Sequence, residues 1–311
     1  MSVSRLVVSF VVAGMLLGGC AKPPQKHAGD LSTTGKMATD GVEAIDTSAV
    51  TGSIMRTAFA PDYQAMPQSL FSTSPLTGRT LAVASANDIK LDPGEVILTF
   101  DDGPRPGKTD AILDTLDNFA VKATFLMVGQ AVAAHPLTAQ QVALRGHTIG
   151  SHSYDHADLT SLSRHEAVND IARAEDTIVR TLSRIGDEPA PFFRFPYLAQ
   201  NGFLRTSLNR GSAVILGVDI DSKDYYNDTP GAVAARTLKR LDERGKGIIL
   251  FHDIHARTVA MLPDFLQQLE DRGYTVVRLV PKVNGPFGSD IIKAEARAVS
   301  MPTAVEASDS L

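Results

Sequence analysis

Between Leu91 and Pro281 short apolar segments alternate with amphipathic helical patterns, and this alternation constrains the fold more than any other feature of the chain. Val96–Phe100, Ala123–Val128, His147–Ser151, Phe192–Arg194, Ala213–Asp219, Gly247–Phe251 and Thr275–Val280 read as strands, each short, apolar and bounded by turn residues. Helices are punctuated between them. Ser163-Arg164-His165-Glu166 is a capping box that opens a helix running to about Ser183. Thr229-Pro230 supplies a cap and a first-turn proline for a helix ending near Gly245, and Gly273 stops the last one. Strands joined through helices by short loops must run parallel. Seven such units in about 190 residues predict an α/β fold whose sheet curls toward a barrel.

Chemistry collects where these strands stop. Val96-Ile97-Leu98 leads into Thr99-Phe100-Asp101-Asp102-Gly103-Pro104, two adjacent carboxylates followed by a turn signal. His147–Ser151 leads into His152-Ser153-Tyr154-Asp155-His156, with two imidazoles four residues apart; one helical turn would put both on the same side. With a carboxylate they make a three-ligand set with open positions. Phe192-Phe193 is followed by Arg194, a fixed counter-charge for a site rich in acids. Asp219 to Tyr226 follows the next strand, and His252-Asp253 leaves the apolar run Ile248–Phe251. Taken singly each has a plainer reading: an acidic turn, two loop histidines, a surface ion pair, a solvated acidic loop, a structural histidine. Five strands of one alternating domain ending this way are better explained by one site, because parallel barrels bring the carboxyl ends of their strands to one face.

The remainder of the chain bounds the setting. Its 311 residues carry 30 basic and 35 acidic side chains, a net charge of −5 with no Lys/Arg block, which argues against nucleic acid as a partner. The one cysteine, Cys20, excludes an internal disulfide framework and a thiolate metal cluster. Arg5 followed by the 12-residue apolar run Leu6–Leu17 is too short to span a bilayer, which takes about 20 residues. Its end, Leu17-Gly18-Gly19-Cys20, resembles the lipobox of bacterial lipoprotein signal peptides, implying cleavage before Cys20 and lipidation of its sulfur. On this reading 1–19 is a signal peptide and 20–90 a lipid-anchored tether, in which Phe59, Tyr63, Leu70 and Phe71 are candidates for packing on the domain. Residues 91–281 form the catalytic domain and 282–311 a disordered tail. The expected location is extracytoplasmic, on the periplasmic side of a membrane, the outer membrane being favoured because Ala21, not Asp, follows Cys20.

The five strand-end motifs resemble those of the polysaccharide deacetylases of carbohydrate esterase family 4, the NodB-homology domain. Thr99–Pro104, His152–His156, Arg194–Tyr197, Asp221–Tyr225 and Leu250–His252 occur in the family's order, with Val121–Phe125 and Arg145–Gly150 also family-like. The resemblance implies a distorted (β/α) barrel and metal-dependent removal of acetyl groups, usually from N-acetylglucosamine residues of a glycan. By motif it implies that Asp102, His152 and His156 bind one divalent metal ion, most often zinc, with cobalt, nickel or manganese as alternatives. It implies Asp101 as general base held by Arg194, and His252 as general acid oriented by Asp224. The Tyr197 N–H would help hold the oxyanion, and Leu250 would line the pocket for the acetate methyl.

Two positions depart from the family pattern. Tyr225 stands where Trp is usual, so the methyl pocket gains a hydroxyl that needs a partner when buried. Leu198 stands where Gly is frequent, narrowing one wall of the groove. Asp253 and His255 read as loop structure, His147 as a packed strand residue, and His27, His135 and His165 as surface residues. Tyr154 and Tyr226 read equally as sugar-stacking rings or as packing. Three rival functions share these features: another hydrolase on the same scaffold, such as an O-acetyl esterase or a small cyclic-amide hydrolase, a glycan-binding lipoprotein without turnover, and an Fe(II) oxygenase using the two-His, one-carboxylate set. The second aspartate at 101 and the histidine at 252 fit hydrolysis better than oxygen chemistry.

Overall fold

A computed structural model of the chain describes residues 74–293 apart from 289. The elements, in order, are β1 (Thr77–Val83), β2 (Glu95–Asp101), α1 (Lys108–Asn118), β3 (Thr124–Met127), α2 (Gly129–Ala134), α3 (Pro136–Leu144), β4 (Thr148–Ser151), α4 (Arg164–Leu182), β5 (Phe192–Phe193), α5 (Gly202–Arg210), β6 (Val214–Ile215), β7 (Ile220–Asp221), α6 (Pro230–Arg244), β8 (Gly247–His252), α7 (Ala256–Asp271) and β9 (Thr275–Pro281). Every strand pairing is parallel, as strand–helix alternation requires.

β2 organises the sheet. It pairs with β3 on one side and with β8 on the other, while its first two residues also meet β9. The run β7-β8-β2-β3-β4-β5-β6 curls into a barrel that stays open between β6 and β7, and β9 carries β1 beyond it. Side-chain alternation along β2 divides two apolar layers. Val96, Leu98 and Phe100 face the helices, where Phe100 stacks between Phe125 and Phe251 at centroid distances of 5.1 and 5.7 Å. Ile97 faces the barrel interior with Leu126, Phe192, Val214, Ile248 and Leu279. The same parity puts Thr99 and Asp101 on the interior side, and on β8 it puts Leu250 and His252 there, Ile249 and Phe251 facing the helices. Fully burying a side chain such as Phe100 contributes about 1.5–3 kcal/mol, so this alternation sets the register that aims the site residues inward.

The punctuation read in the sequence is present in the structure. Ser163 and Glu166 close the reciprocal capping box of α4, Thr229 Oγ1 accepts from the Ala232 N–H at the start of α6, and Gly245 ends α6 with φ +77°. Three expectations need correction. Ala213–Asp219 is not one strand: β6 and β7 are two-residue strands separated by Leu216–Asp219. The carbonyls of Leu216 and Gly217 accept from the Arg194 guanidinium rather than from a neighbouring strand, and the barrel opens there. The boundary placed at Leu91 falls inside the fold, because Thr77–Val83 is an edge strand on β9. It buries little besides Val83, so it lacks the apolar run that reveals a core strand. The beginning of the supposed tail also belongs to the core: Phe287 and Ile291 are buried with Leu204, Leu208 and Phe193. Cys20, the apolar run before it, and Phe59, Tyr63, Leu70 and Phe71 lie outside the described residues.

Candidate active site

Asp101 is the last residue of β2 and, by parity, points inward. Its neighbour would point the opposite way if the strand continued. Asp102 instead adopts φ +79°, leaving the strand so that both carboxylates serve one site. Positive φ recurs around the site at Ser153 (+66°), His156 (+53°), Tyr197 (+57°), Leu198 (+57°) and Lys223 (+54°), backbone conformations that cost energy and cluster at functional sites.

His152 and His156 converge through an irregular loop after β4, not through the helical turn that their spacing suggested. Their ring centroids are 5.0 Å apart. The loop is tied down from outside: Asp170 on α4 accepts from the Tyr154 and Asp155 N–H groups, and the Gly129 and Gln130 N–H groups at the start of α2 donate to the Ser153 and Tyr154 carbonyls. His152 Nδ1 lies 2.8 Å from the Arg194 carbonyl, so in the neutral ring it donates there and leaves the Nε2 lone pair facing Asp102. Burial drives the His152 pKa down, which favours that neutral form.

Asp102 Oδ1 lies 3.2 Å from His156 Nε2 and 3.5 Å from His152 Nε2, and it is buried without a well-formed hydrogen bond. All three donor atoms fall within 4.8 Å of one another. Tetrahedral coordination with bonds of about 2.0–2.2 Å separates its ligands by about 3.3 Å, so two imidazole nitrogens and a carboxylate oxygen at these spacings fit a divalent cation. The carboxyl is ready for that role. Burial alone would raise its pKa, but His156 beside it and the nearby His252 and His152 outweigh burial and hold it at about 2. This trio is the group of His, Cys, Asp or Glu side chains among the described residues that is placed to hold a metal ion.

Two further pairs flank the trio. The first is Asp101 with Arg194, at 2.8 Å and with both side chains buried. Arg194 is fully buried, and its other donors go to Thr99 Oγ1 at 2.8 Å, Leu216 O at 3.4 Å and Gly217 O at 3.0 Å. The guanidinium therefore closes the gap between β6 and β7 while fixing Asp101, a buried cation with each of its three nitrogens hydrogen-bonded. The second pair is His252 with Asp224. His252 Nδ1 lies 2.6 Å from Asp224 Oδ1, and the His252 N–H donates to Asp224 Oδ2 at 2.8 Å. Burial would lower the His252 pKa, but the hydrogen bond and charge of Asp224, helped by Asp102 and Asp101, raise it to about 9. Asp101 and His252 share one register position on neighbouring strands, yet they lean toward different partners, one to β5 and the other to the loop after β7.

The cleft over these groups encloses about 390 Å³. Leu250 forms part of its floor, and Tyr197, Leu198, Phe195 and Tyr225 form apolar walls. Tyr197 occupies the first turn of a 3-10 helix, Pro196–Leu198, where backbone N–H groups have no partner within the helix. Its ring meets His156 edge-on at 4.7 Å. The Tyr225 hydroxyl has the partner its position demanded: it donates to Asp221 Oδ2 at 3.0 Å while the ring stands edge-on to His252 at 5.6 Å.

Several supports carry little sequence signal. Thr258 Oγ1 donates to Asp224 Oδ2 at 2.6 Å from the first turn of α7, where nothing in the local pattern marks it. Thr99 bridges Arg194 and the Ile249 carbonyl, and only its place in the motif hinted at it. Asp253, read as loop structure, is buried beside Gly103 and accepts from Thr109 Oγ1 at 2.6 Å; burial raises its pKa to about 7. His255 is half-buried, its ring 5.8 Å from His252. His147 packs edge-on against Phe125 as a core residue. Tyr154 packs under the Arg173 guanidinium, whose carbon lies 3.5 Å from the ring centroid, while Tyr226 stands exposed beside Tyr225.

The family profile described as polysaccharide deacetylase matches residues 88–211, a span that holds Asp101, Asp102, His152, His156 and Arg194 and ends before Asp224 and His252. A peptidoglycan-N-acetylglucosamine deacetylase of Listeria monocytogenes is 33% identical over 184 residues, 59% of this chain but only 38% of that protein. A chitin deacetylase of Colletotrichum lindemuthianum is 30% identical over 218 residues, 66% of this chain and 86% of that one. Among solved structures, a peptidoglycan deacetylase of Bdellovibrio bacteriovorus is 33% identical with a TM-score of 0.60, covering 70% of this chain and 60% of that chain. With most of the length of the Colletotrichum relative matched and the strand-end residues gathered in one cleft, the chain belongs to the polysaccharide deacetylase family.

Proposed function

We propose that this chain hydrolyses the N-acetyl groups of N-acetylglucosamine residues in a cell-wall or exopolysaccharide glycan. The observation that carries the reading is the placement of two separately stabilised pairs, Asp101–Arg194 and His252–Asp224, whose Asp101 and His252 line one cleft with the Asp102, His152 and His156 trio. Asp102, His152 and His156 would hold one divalent cation, zinc first among those to test. Bound there, the cation would polarise the amide carbonyl and bring the pKa of a water down from about 15.7 toward about 7.

The chain's own residues then divide the work. Asp101 Oδ2, the oxygen not taken by Arg194, accepts a proton from the water as its oxygen bonds to the acetyl carbon. Arg194 keeps the carboxylate aimed. The Tyr197 N–H donates to the oxygen that gains negative charge. His252, kept protonated by Asp224, gives its Nε2 proton to the nitrogen as the C–N bond breaks, so acetate and an amine leave. Leu250 and Tyr225 flank the acetate methyl. No group in this scheme depends on the glycan's identity, so the reaction is more tightly constrained than the polymer.

The test is acetate release across a panel of chitin oligomers, peptidoglycan fragments and acetylated xylan, with metal quantified in the same sample. Release from the N-acetylated glycans with about one cation per chain supports the reading; release from xylan alone would make the protein an O-acetyl esterase. We also propose that the chain acts outside the cytoplasm on a membrane, anchored through lipid on Cys20, a reading supported by Arg5, the Leu6–Leu17 run and Leu17-Gly18-Gly19-Cys20. Among the described residues no helix is long and apolar enough to cross a membrane. Cys20→Ala should release the protein from the membrane fraction, and retention would overturn the anchor.

A further inference from the structure

The two histidines of the trio are held in different ways. His152 is fixed twice by the barrel: its N–H donates to the Met127 carbonyl, and its Nδ1 meets the Arg194 carbonyl. His156 is partly exposed, at φ +53°. Its Nε2 faces Asp102 and its ring meets Tyr197 edge-on, but among the described residues no hydrogen bond holds Nδ1 from behind. The place of His156 is therefore set by the backbone that leads to it, Ser153 to Asp155, where Ser153 also has positive φ.

Tyr154 is the centre of that stretch. Its ring enters a slot between α2 and α4 that is open because position 129 lacks a side chain. A Cβ on Gly129 would stand 2.6 Å from Tyr154 Cδ2 and 2.9 Å from Ala174 Cα. The Arg173 guanidinium lies over the ring, its carbon 3.5 Å from the centroid, and Nη1 of the same side chain is 3.9 Å from Asp155 Oδ2. One turn earlier on α4, Asp170 accepts from the Tyr154 and Asp155 N–H groups at 2.9 and 3.1 Å. From α2, the Gly129 and Gln130 N–H groups donate to the Ser153 and Tyr154 carbonyls at 2.9 and 3.0 Å. Each of these contacts is to the ring or to the backbone; the Tyr154 hydroxyl takes part in none.

We infer that Tyr154 is a positioning residue: clamped by Gly129, Asp170 and Arg173, it holds His156 in place and so sets how tightly the trio binds a divalent cation. The inference rests on the proposed metal-binding reading and adds what keeps the loop side of that site rigid. A loose loop would lose conformational freedom each time a cation bound, whereas a clamped loop has already lost it on folding. Residues behind a metal ligand commonly control affinity in this way.

The experiment measures zinc dissociation constants of the full chain after metal removal, by competition with a chromophoric chelator, beside amide hydrogen exchange of the same samples. Tyr154→Leu should weaken zinc binding by about 10–100-fold. It should also speed exchange of the Ser153–His156 amides while β4 and α4 keep wild-type protection. Tyr154→Phe, which retains the ring, should keep the wild-type affinity. Arg173 is exposed, so Arg173→Gln should leave the fold intact and weaken binding by a smaller factor; it decides the matter if Tyr154→Leu does not fold. Wild-type affinity in Tyr154→Leu, or in Arg173→Gln where it stands alone, would overturn the inference. So would weaker binding with exchange accelerated equally in β4 and α4, because the ring would then support the fold and not the ligand. A wild type that takes up none of zinc, cobalt, nickel or manganese would overturn the metal-binding reading itself, whereas bound cation with equal constants overturns the clamp alone.

Discussion

The two sides of the site hold their charges by opposite means. Asp101 and His252 sit at strand ends, and each is paired with a buried partner of opposite charge, Arg194 and Asp224. Asp102 and His156 sit on loops at positive φ, partly exposed, and the Asp102 oxygen facing the histidines lacks a proper hydrogen bond. The first arrangement is complete within the protein; on the proposed reading the second would be completed by a cation. On the proposed reading, preorganisation for proton transfer would lie in the barrel itself, while preorganisation for the carbonyl would depend on a ligand from outside.

The sharpest way to break this contrast is Asp101→Asn. It should lower kcat by about 10²–10⁴-fold, the usual worth of a general base, while metal content measured by elemental analysis stays at the wild-type level. Loss of metal with loss of rate would mean that Asp101 is a ligand and that the two sides are one. Next in size is Arg194→Met. Removing the cation leaves Asp101 buried and unpaired and exposes the Leu216 and Gly217 carbonyls to no donor, so denaturant unfolding should show a loss of about 3–5 kcal/mol. A variant as stable as the wild type would show that the β6–β7 gap is not held by this guanidinium.

Asp224→Asn tests the acid side through pH. His252 has a raised pKa of about 9, so its protonated form, and activity that needs it, should fall as pH rises through about 9. The same raised pKa contributes stability that is complete below the ordinary histidine value of about 6.5 and is lost on rising through about 9. A cation on the trio would offset the shares of Asp101 and Asp102 but leave the Asp224 bond. Replacing Asp224 should therefore move the falling limb of kcat/KM to lower pH; an unmoved limb would remove His252 from the acid role. Thr258→Val should do less: Asp224 Oδ2 loses one of its two donors and keeps the His252 N–H, costing about 1 kcal/mol of stability with a smaller displacement of the same limb. Smallest of all is Tyr225→Phe. Its hydroxyl bond to Asp221 is at the exposed rim, so stability should change by less than about 1 kcal/mol, and any kinetic change should appear in KM. A large fall in kcat would promote Tyr225 from wall to participant.

The parts of this site that were legible in the sequence are those that end a strand. β2, β4 and β8 are apolar runs, so the change to Asp101-Asp102, His152 and His252 stands out, and parallel strands have their carboxyl ends on one side. What was not legible came from backbone turned against local habit. The four-residue spacing of His152 and His156 suggested a helical turn, but Ser153 and His156 at positive φ bring the rings together in a loop. Ala213–Asp219 looked like one strand because its residues are apolar, yet its middle carbonyls are claimed by Arg194, which lies about twenty positions earlier. The edge strand β1 was passed over because an edge buries too little to print an apolar pattern.

By itself the sequence determined the alternation of strands and helices, the strand-end positions of Asp101, His152 and His252, and the order of the motifs. These follow from local rules: the period of side-chain burial, caps and turn residues. The family resemblance implied two of the pairings; the tertiary structure forms them, Asp101 with Arg194 and His252 with Asp224, and sets Thr258 behind the acid, which no local pattern marked. Those outcomes rest on contacts between residues 28 to 93 positions apart, and on buried polar groups taking whichever partner the packed core brings within reach.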